Sequence, residues 1–379
     1  MTSPAPADYR SLPDLASRRL GGSVISANDE LFAEKENLIT PQAPGFRPHT
    51  FGHRGQVYDG WETRRRRTPG DDHAIVRLGV PGVVRGVVVD TAFFTGNYPP
   101  EISVAGTGVE GHVDPGADAE WTPLVPRTPA GGDQENTYPV AEEQRFTHVR
   151  LSIYPDGGVA RLRVHGRPVP DPRLLDAGVV DLLALENGGE VLDCSNRFYS
   201  APTNLISPGL ASSMGDGWET ARRRDDGNDW VHFGLAAPGV VRLLELDTSH
   251  FLGNAPGAAE VSGLGSDGQW RPMLLRTPLL RDTRHRFPLP VGPPVSQLRL
   301  DIFPDGGMAR VRAYGALTAE GRAAVGLRWF DLLPAAAAEQ VLTGSLGLPE
   351  AGAREIIGQR PFRAAGAVPD VVRPMILGG

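Results

Sequence analysis

The sequence predicts a mainly β protein: two jelly-roll β-sandwiches in tandem, derived from one duplicated domain, followed by a helical C-terminal extension. Three observations predict it. A domain-sized segment occurs twice, short apolar or alternating runs recur between Gly/Pro-rich turns, and the chain beyond 318 becomes rich in Ala, Glu and Leu. The expected boundaries are 1–170 for the first repeat, 171–317 for the second and 318–379 for the extension.

Length and composition agree with this plan. A chain of 379 residues exceeds one ordinary core, so two domains are expected. The formal net charge of −7 argues against a nucleic-acid or acidic-membrane partner, which would favour a basic excess. The 47 glycines and 35 prolines are spread along the chain, as turns between short strands require. The single cysteine, Cys194, excludes an internal disulfide and a Cys-rich metal site. It stands where the first repeat has Ala27 and reads as a small buried residue. No apolar run is long enough for a membrane span, and MTSPAPADYRSLPDL has no apolar signal core, so a cytoplasmic location is expected.

Taken in order, LGGSVISANDELFAEKENLIT (20–40) pairs with NGGEVLDCSNRFYSAPTNLIS (187–207) at an offset of 167. Within it, DELFAEKEN (29–37) predicts a short helix. DGWETRRRR (59–67) pairs with DGWETARRR (216–224), and PGVVRGVVVDTAFFTGNYP (81–99) with PGVVRLLELDTSHFLGNAP (238–256), both at 157. VVRGVVVDT is apolar and β-branched, as a buried strand should be. WTPLVPRTP (121–129) pairs with WRPMLLRTP (270–278), and VRLSIYPDGGVARLRVHG (149–166) with LRLDIFPDGGMARVRAYG (298–315), at 149. In these last segments PDGG predicts a hairpin turn between two alternating strands. The falling offset places two insertions in the first repeat, at 44–57 and within 106–120. The first brings His49, His53 and Gln56 beside the DGWETRRRR turn. TAEGRAAVGLRWFDLLPAAAAEQVL and PEAGAREIIGQR complete the chain with helical spacing.

SANDELFAEKENLI, FGHRGQVYDGWETRRRR, GVVRGVVVDTAFFTGNYPPEISV and YPDGGVARLRVHG resemble the signature segments of the allantoicases. The resemblance covers roughly residues 10–315 and both repeats. It implies two tandem jelly rolls of galactose-binding type. It also implies hydrolysis of allantoate to ureidoglycolate and urea in purine (allantoin) degradation, with allantoate as a small-molecule partner. A homo-oligomer is expected.

Such a substrate joins a carboxylate and two ureido groups on one carbon. An arginine fork suits the carboxylate, Asp, Glu, Asn and Gln suit the ureido groups, and a carboxylate or His suits the proton transfers. The catalytic candidates are therefore Glu62, His53 and Asp59, and the substrate-binding candidates Arg64, Arg65, Lys35, Glu36, Gln56 and Asn97. The plainer reading makes Asp59-Gly60 a tight turn, Trp61 core and the arginines a solvated or bracing face; it suits the second repeat, which has lost Glu34, Lys35 and Glu36. Asp90-Thr91 and Asn97 recur as Asp247-Thr248 and Asn254, which favours structural roles, a strand-end Asp bonding loop amides. His49 remains an ordinary loop histidine. No HExxH-type spacing supports a metal site. This loop in galactose-binding jelly rolls can hold Ca²⁺ through backbone oxygens, which leaves a divalent cation open. The rival readings are a non-catalytic double jelly roll that binds a small ligand or sugar, and a hydrolase of a related ureido compound.

Overall fold

The computed structural model describes residues 9–52, 55–111 and 113–378. The chain is mainly β and forms two compact units, Met1–Val169 with Phe330–Pro361, and Pro170–Trp329 with Phe362–Gly379.

The first repeat is organised by one 19-residue strand, Asp72–Asp90. Its β-branched run can face apolar neighbours on both sides, and Val83, Val84, Val87, Val88 and Val89 are all buried. The N-terminal half pairs with Ser23–Ala27 and Arg145–Tyr154, and the C-terminal half with Glu135–Pro139 and Arg161–Pro168. The register with Arg145–Tyr154 shifts between Arg77 and Gly82. Pro81, which has no N–H to give a ladder, sits in that shift. The strand thus bends from one layer into the other. Glu101–Thr107 and Thr122–Pro129 extend the first layer beyond Arg145–Tyr154. Trp61, Val76, Val87, Phe146, Leu151 and Leu162 belong to one core cluster between the layers.

Two local expectations are corrected. PDGG is not a hairpin turn, because Arg145–Tyr154 and Arg161–Pro168 bond to opposite halves of the long strand and not to each other. The loop crosses between the layers instead. Residues 29–34 are not helical, and a 3₁₀ turn covers only Lys35–Ile39. Tertiary bonds override helix propensity there: the Asp29 carboxylate accepts the Leu31 and Arg64 N–H groups, and Ala33 forms a bridge with Glu62.

The second repeat has the same plan around Asp229–Asp247, with Glu190–Cys194 and Val295–Phe303 on its first half and Arg284–Pro288 and Arg310–Leu317 on its second. One core position differs in kind. Glu245 stands where the first repeat has Val88, and Arg284 and Arg286 bind its buried carboxylate at 2.8 and 2.9 Å. Cys194 is only partly buried, and the Arg197 Nε donates to its Sγ. The predicted C-terminal helices are present at Ala319–Leu332, Ala335–Leu346 and Glu350–Gly358, and a further short helix, Arg373–Leu377, lies beyond the segments predicted. Among the described residues no helix is long and apolar enough to cross a membrane.

Candidate active site

Three loops of the first repeat converge on Glu62. The two-residue strand Trp61–Glu62 pairs with Gly158–Val159. Trp61 is buried, and its indole Nε1 donates to the Asp29 carbonyl at 2.8 Å. The Asn37 amide caps the Gly60 carbonyl at 3.0 Å, and the Thr63 N–H donates to Gly157 at 3.1 Å. Gly158 in turn donates to the Asn97 carbonyl at 2.7 Å. Gly157 has φ +144°, and a Cβ there would stand 2.8 Å from the Asn97 oxygen, so only glycine permits this approach.

Glu62 is buried, and its Oε1 accepts from the Asn97 Nδ2 at 2.5 Å. Burial pushes its carboxyl pKa above the ordinary value, and the Asn97 hydrogen bond offsets part of that rise. Among the described residues the second oxygen accepts no hydrogen bond. The arrangement gives a carboxyl that exchanges a proton more readily near neutrality than an exposed glutamate would.

The arginine run alternates. The Arg64 Nε binds Asp29 at 2.5 Å, and the Arg66 Nη1 binds Asp72 at 2.5 Å. Arg65 and Arg67 are exposed and have no partner among the described residues. Since Asp29 takes the Nε of Arg64, its two Nη groups stay free to grip a carboxylate side by side. Burial would raise the Asp29 carboxyl, but the Arg64 and Leu31 N–H groups and the Arg64 guanidinium hold it below the ordinary value.

The remaining candidates fall as follows. Asp59 binds Nη2 of the buried Arg161 through both oxygens at 2.8 Å and also accepts the Gly45 N–H. Burial pushes the Asp59 carboxyl up, yet these bonds from Arg161 and Gly45 bring it below its ordinary value. Lys35 lies between Glu30 and Glu36 at 3.3 and 3.5 Å, and Arg18 also holds Glu36. Asn97 touches Glu62 directly. Gln56 pairs through its backbone with Phe51, and His53 lies outside the described residues. His49 is exposed with φ +58°. Among the described residues, no group of three or more His, Cys, Asp and Glu is placed to hold a metal ion.

Sequence reasoning missed Asp29, Arg161 and an aromatic stack. Phe46 lies on Phe93 at 5.6 Å and beside Tyr58, and Tyr58 stacks on Phe94 at 5.1 Å. Its signal was present in the repeat alignment: Phe46 lies in the insertion, Tyr58 aligns with Gly215 and Phe93 with His250. Asp29, likewise, aligns with Asn196.

The second repeat reproduces the frame but not all of the charges. Glu219 accepts from Asn254 at 2.7 Å, Asn204 caps Gly217, and Arg223 binds Asp229 as Arg66 binds Asp72. Asn196 and Ala221 replace the Asp29–Arg64 pair, and Pro202 replaces Lys35.

Comparison with known proteins gives a consistent result. A model of the allantoicase repeat matches residues 13–169 and 180–318. The chain is 62% identical over 318 residues to a probable allantoicase of Nocardia farcinica, covering 83% of this chain and 97% of that one. It is 51% identical over 349 residues to a probable allantoicase of Streptomyces coelicolor, covering 86% and 93%. It is also similar to the crystal structure of allantoicase from Saccharomyces cerevisiae, with TM-score 0.71 and 34% identity, covering 81% of this chain and 96% of that one.

Proposed function

The chain belongs to the allantoicase family and hydrolyses allantoate to ureidoglycolate and urea, and we propose that its first repeat carries the active site with Glu62 as the proton-transferring group. One observation carries the assignment: a buried carboxyl with a raised pKa, oriented through one oxygen by Asn97, beside an arginine whose fork is free.

In this reading Arg64, fixed by Asp29, receives the substrate carboxylate. Arg65 and Lys35 are proposed to add positive charge at the rim, and Glu36, Gln56 and Asn97 to serve the ureido arms. Ionised Glu62 takes a proton from the attacking water. The water oxygen bonds to the central carbon, the bond from that carbon to one ureido nitrogen breaks, and the proton passes to that nitrogen as urea leaves. Asp59 acts as a positioning residue, tying the 42–45 loop to Arg161. His53 is the second group proposed for proton transfer.

We further propose a cytoplasmic homo-oligomer, divided functionally into 1–170, 171–317 and 318–379. A single cysteine suits a reducing compartment, and exposed Leu275 and Val291 suit self-association.

The test is urea release from purified protein given allantoate, with Glu62→Gln alongside. Urea from the wild type and almost none from the folded variant supports the site. A variant that keeps wild-type turnover removes Glu62 from the chemistry.

A further inference from the structure

In the second repeat a cavity of about 540 Å³ opens between the loop at 252–257 and the turn at 279–283. That volume lies within the range of small-molecule sites. The corresponding place in the first repeat is filled. Tyr98 packs against Gly132 there, and a Cβ on Gly132 would stand 2.2 Å from the Tyr98 ring. The repeat alignment reverses the bulk: Ala255 replaces Tyr98, and Arg281 replaces Gly132.

The surrounding frame is unchanged. The Phe93 and His250 N–H groups donate to Asp133 and Asp282 at 2.7 and 2.8 Å. The Thr91 and Thr248 hydroxyls donate to the Gly131 and Leu280 carbonyls at 2.7 and 2.6 Å. The cavity therefore comes from the exchanged side chains and not from a moved loop.

Its walls suit a particular chemistry. Leu252 and Leu280, 62% and 68% exposed, give the lining an apolar side. Arg281 is the charged residue of the lining, and among the described residues its Nη1 reaches only the Leu252 carbonyl, at 3.4 Å. The rest of its fork is available. Asn254, in the same loop, is turned away to Glu219.

We propose that this cavity is a second small-molecule site, one that takes a small organic carboxylate with its charge on Arg281 and its body between Leu252, Ala255 and Leu280. No step assigned to the first repeat uses it. Allantoate and ureidoglycolate are both small carboxylates, so the enzyme meets this class of ligand at every turnover.

The probe is N-carbamoylglycine, a ureido carboxylate, titrated by calorimetry into wild type, Arg281→Ala and Ala255→Tyr. Arg281 lies at the surface, and Ala255→Tyr recreates the side chain of the first repeat, so both variants should fold. The wild type is expected to bind one equivalent more than Ala255→Tyr. Arg281→Ala should weaken that equivalent about tenfold, as loss of a charge-assisted contact does. Initial rates with allantoate should stay at the wild-type level in both. Equal stoichiometry in wild type and Ala255→Tyr, or no binding to the wild type, overturns the proposal. Failure of the Glu62 assignment is read separately, as hydrolysis by Glu62→Gln.

Discussion

The Asn97 amide donates to the Glu62 carboxylate at 2.5 Å, and among the described residues no other side chain bonds that carboxylate. This bond opposes the rise in pKa that burial causes. Asn97→Ala should therefore raise the Glu62 pKa further. The acidic limb of kcat/KM against pH moves to higher pH in the variant. An unmoved limb would mean that Glu62 is not the group the profile reports.

Glu62→Gln keeps the oxygen that Asn97 bonds but removes the charge. Loss of acid–base catalysis predicts a fall in kcat of about 10²–10⁴. Stability should move the other way. A carboxyl whose pKa is raised on folding favours the fold below its unfolded pKa, and that contribution is lost as pH rises through the folded value. At neutral pH the ionised group is thus unfavourable, so calorimetry should give the variant a Tm equal to or above wild type.

Arg64→Ala should raise KM for allantoate by roughly tenfold to a hundredfold, the worth of one charge-assisted pair. Arg64→Lys should recover little, since an ammonium cannot bind a carboxylate with two parallel bonds. Arg66→Ala tests the opposite role: it takes the cation from buried Asp72, which keeps the Asn28 amide, so it should lower Tm more than it raises KM.

Asp59→Ala should destabilise the protein by about 1–3 kcal/mol, because the buried Arg161 loses its carboxylate partner. The Asp59 pKa is lowered in the fold, so its contribution is present above its unfolded pKa and lost as pH falls through the folded value. Denaturation curves of variant and wild type should converge in strongly acidic solution. The kcat loss should stay well short of that in Glu62→Gln.

The duplication, the C-terminal part of the long central strand and the first C-terminal helices were legible because each rests on local pattern: repeated words, a β-branched run, helical spacing. The path of PDGG was not, because a Pro-Asp-Gly-Gly loop suits a crossing between layers as well as a hairpin. Residues 29–34 misled because they have helix propensity, while Asp29 and Ala33 spend their bonds on Arg64 and Glu62. In the site, Glu62 and Asn97 were legible as residue types beside a turn, but their contact was not. The role of Asp59 was obscured because its partner, Arg161, lies 102 residues away in sequence.

Arg66 with Asp72 and Arg223 with Asp229 brace the same loop in the two repeats. The molecule thus contains its own reference experiment. Arg223 also pairs with Asp225, so a lesion at Arg223 made in an Asp225→Ala background measures what the scaffold loses when this brace is cut, and the same lesion at Arg66 measures the scaffold together with whatever the neighbouring chemistry demands. Subtracting one from the other isolates the second quantity within a single polypeptide, at one temperature and in one solvent, without recourse to a different protein as control.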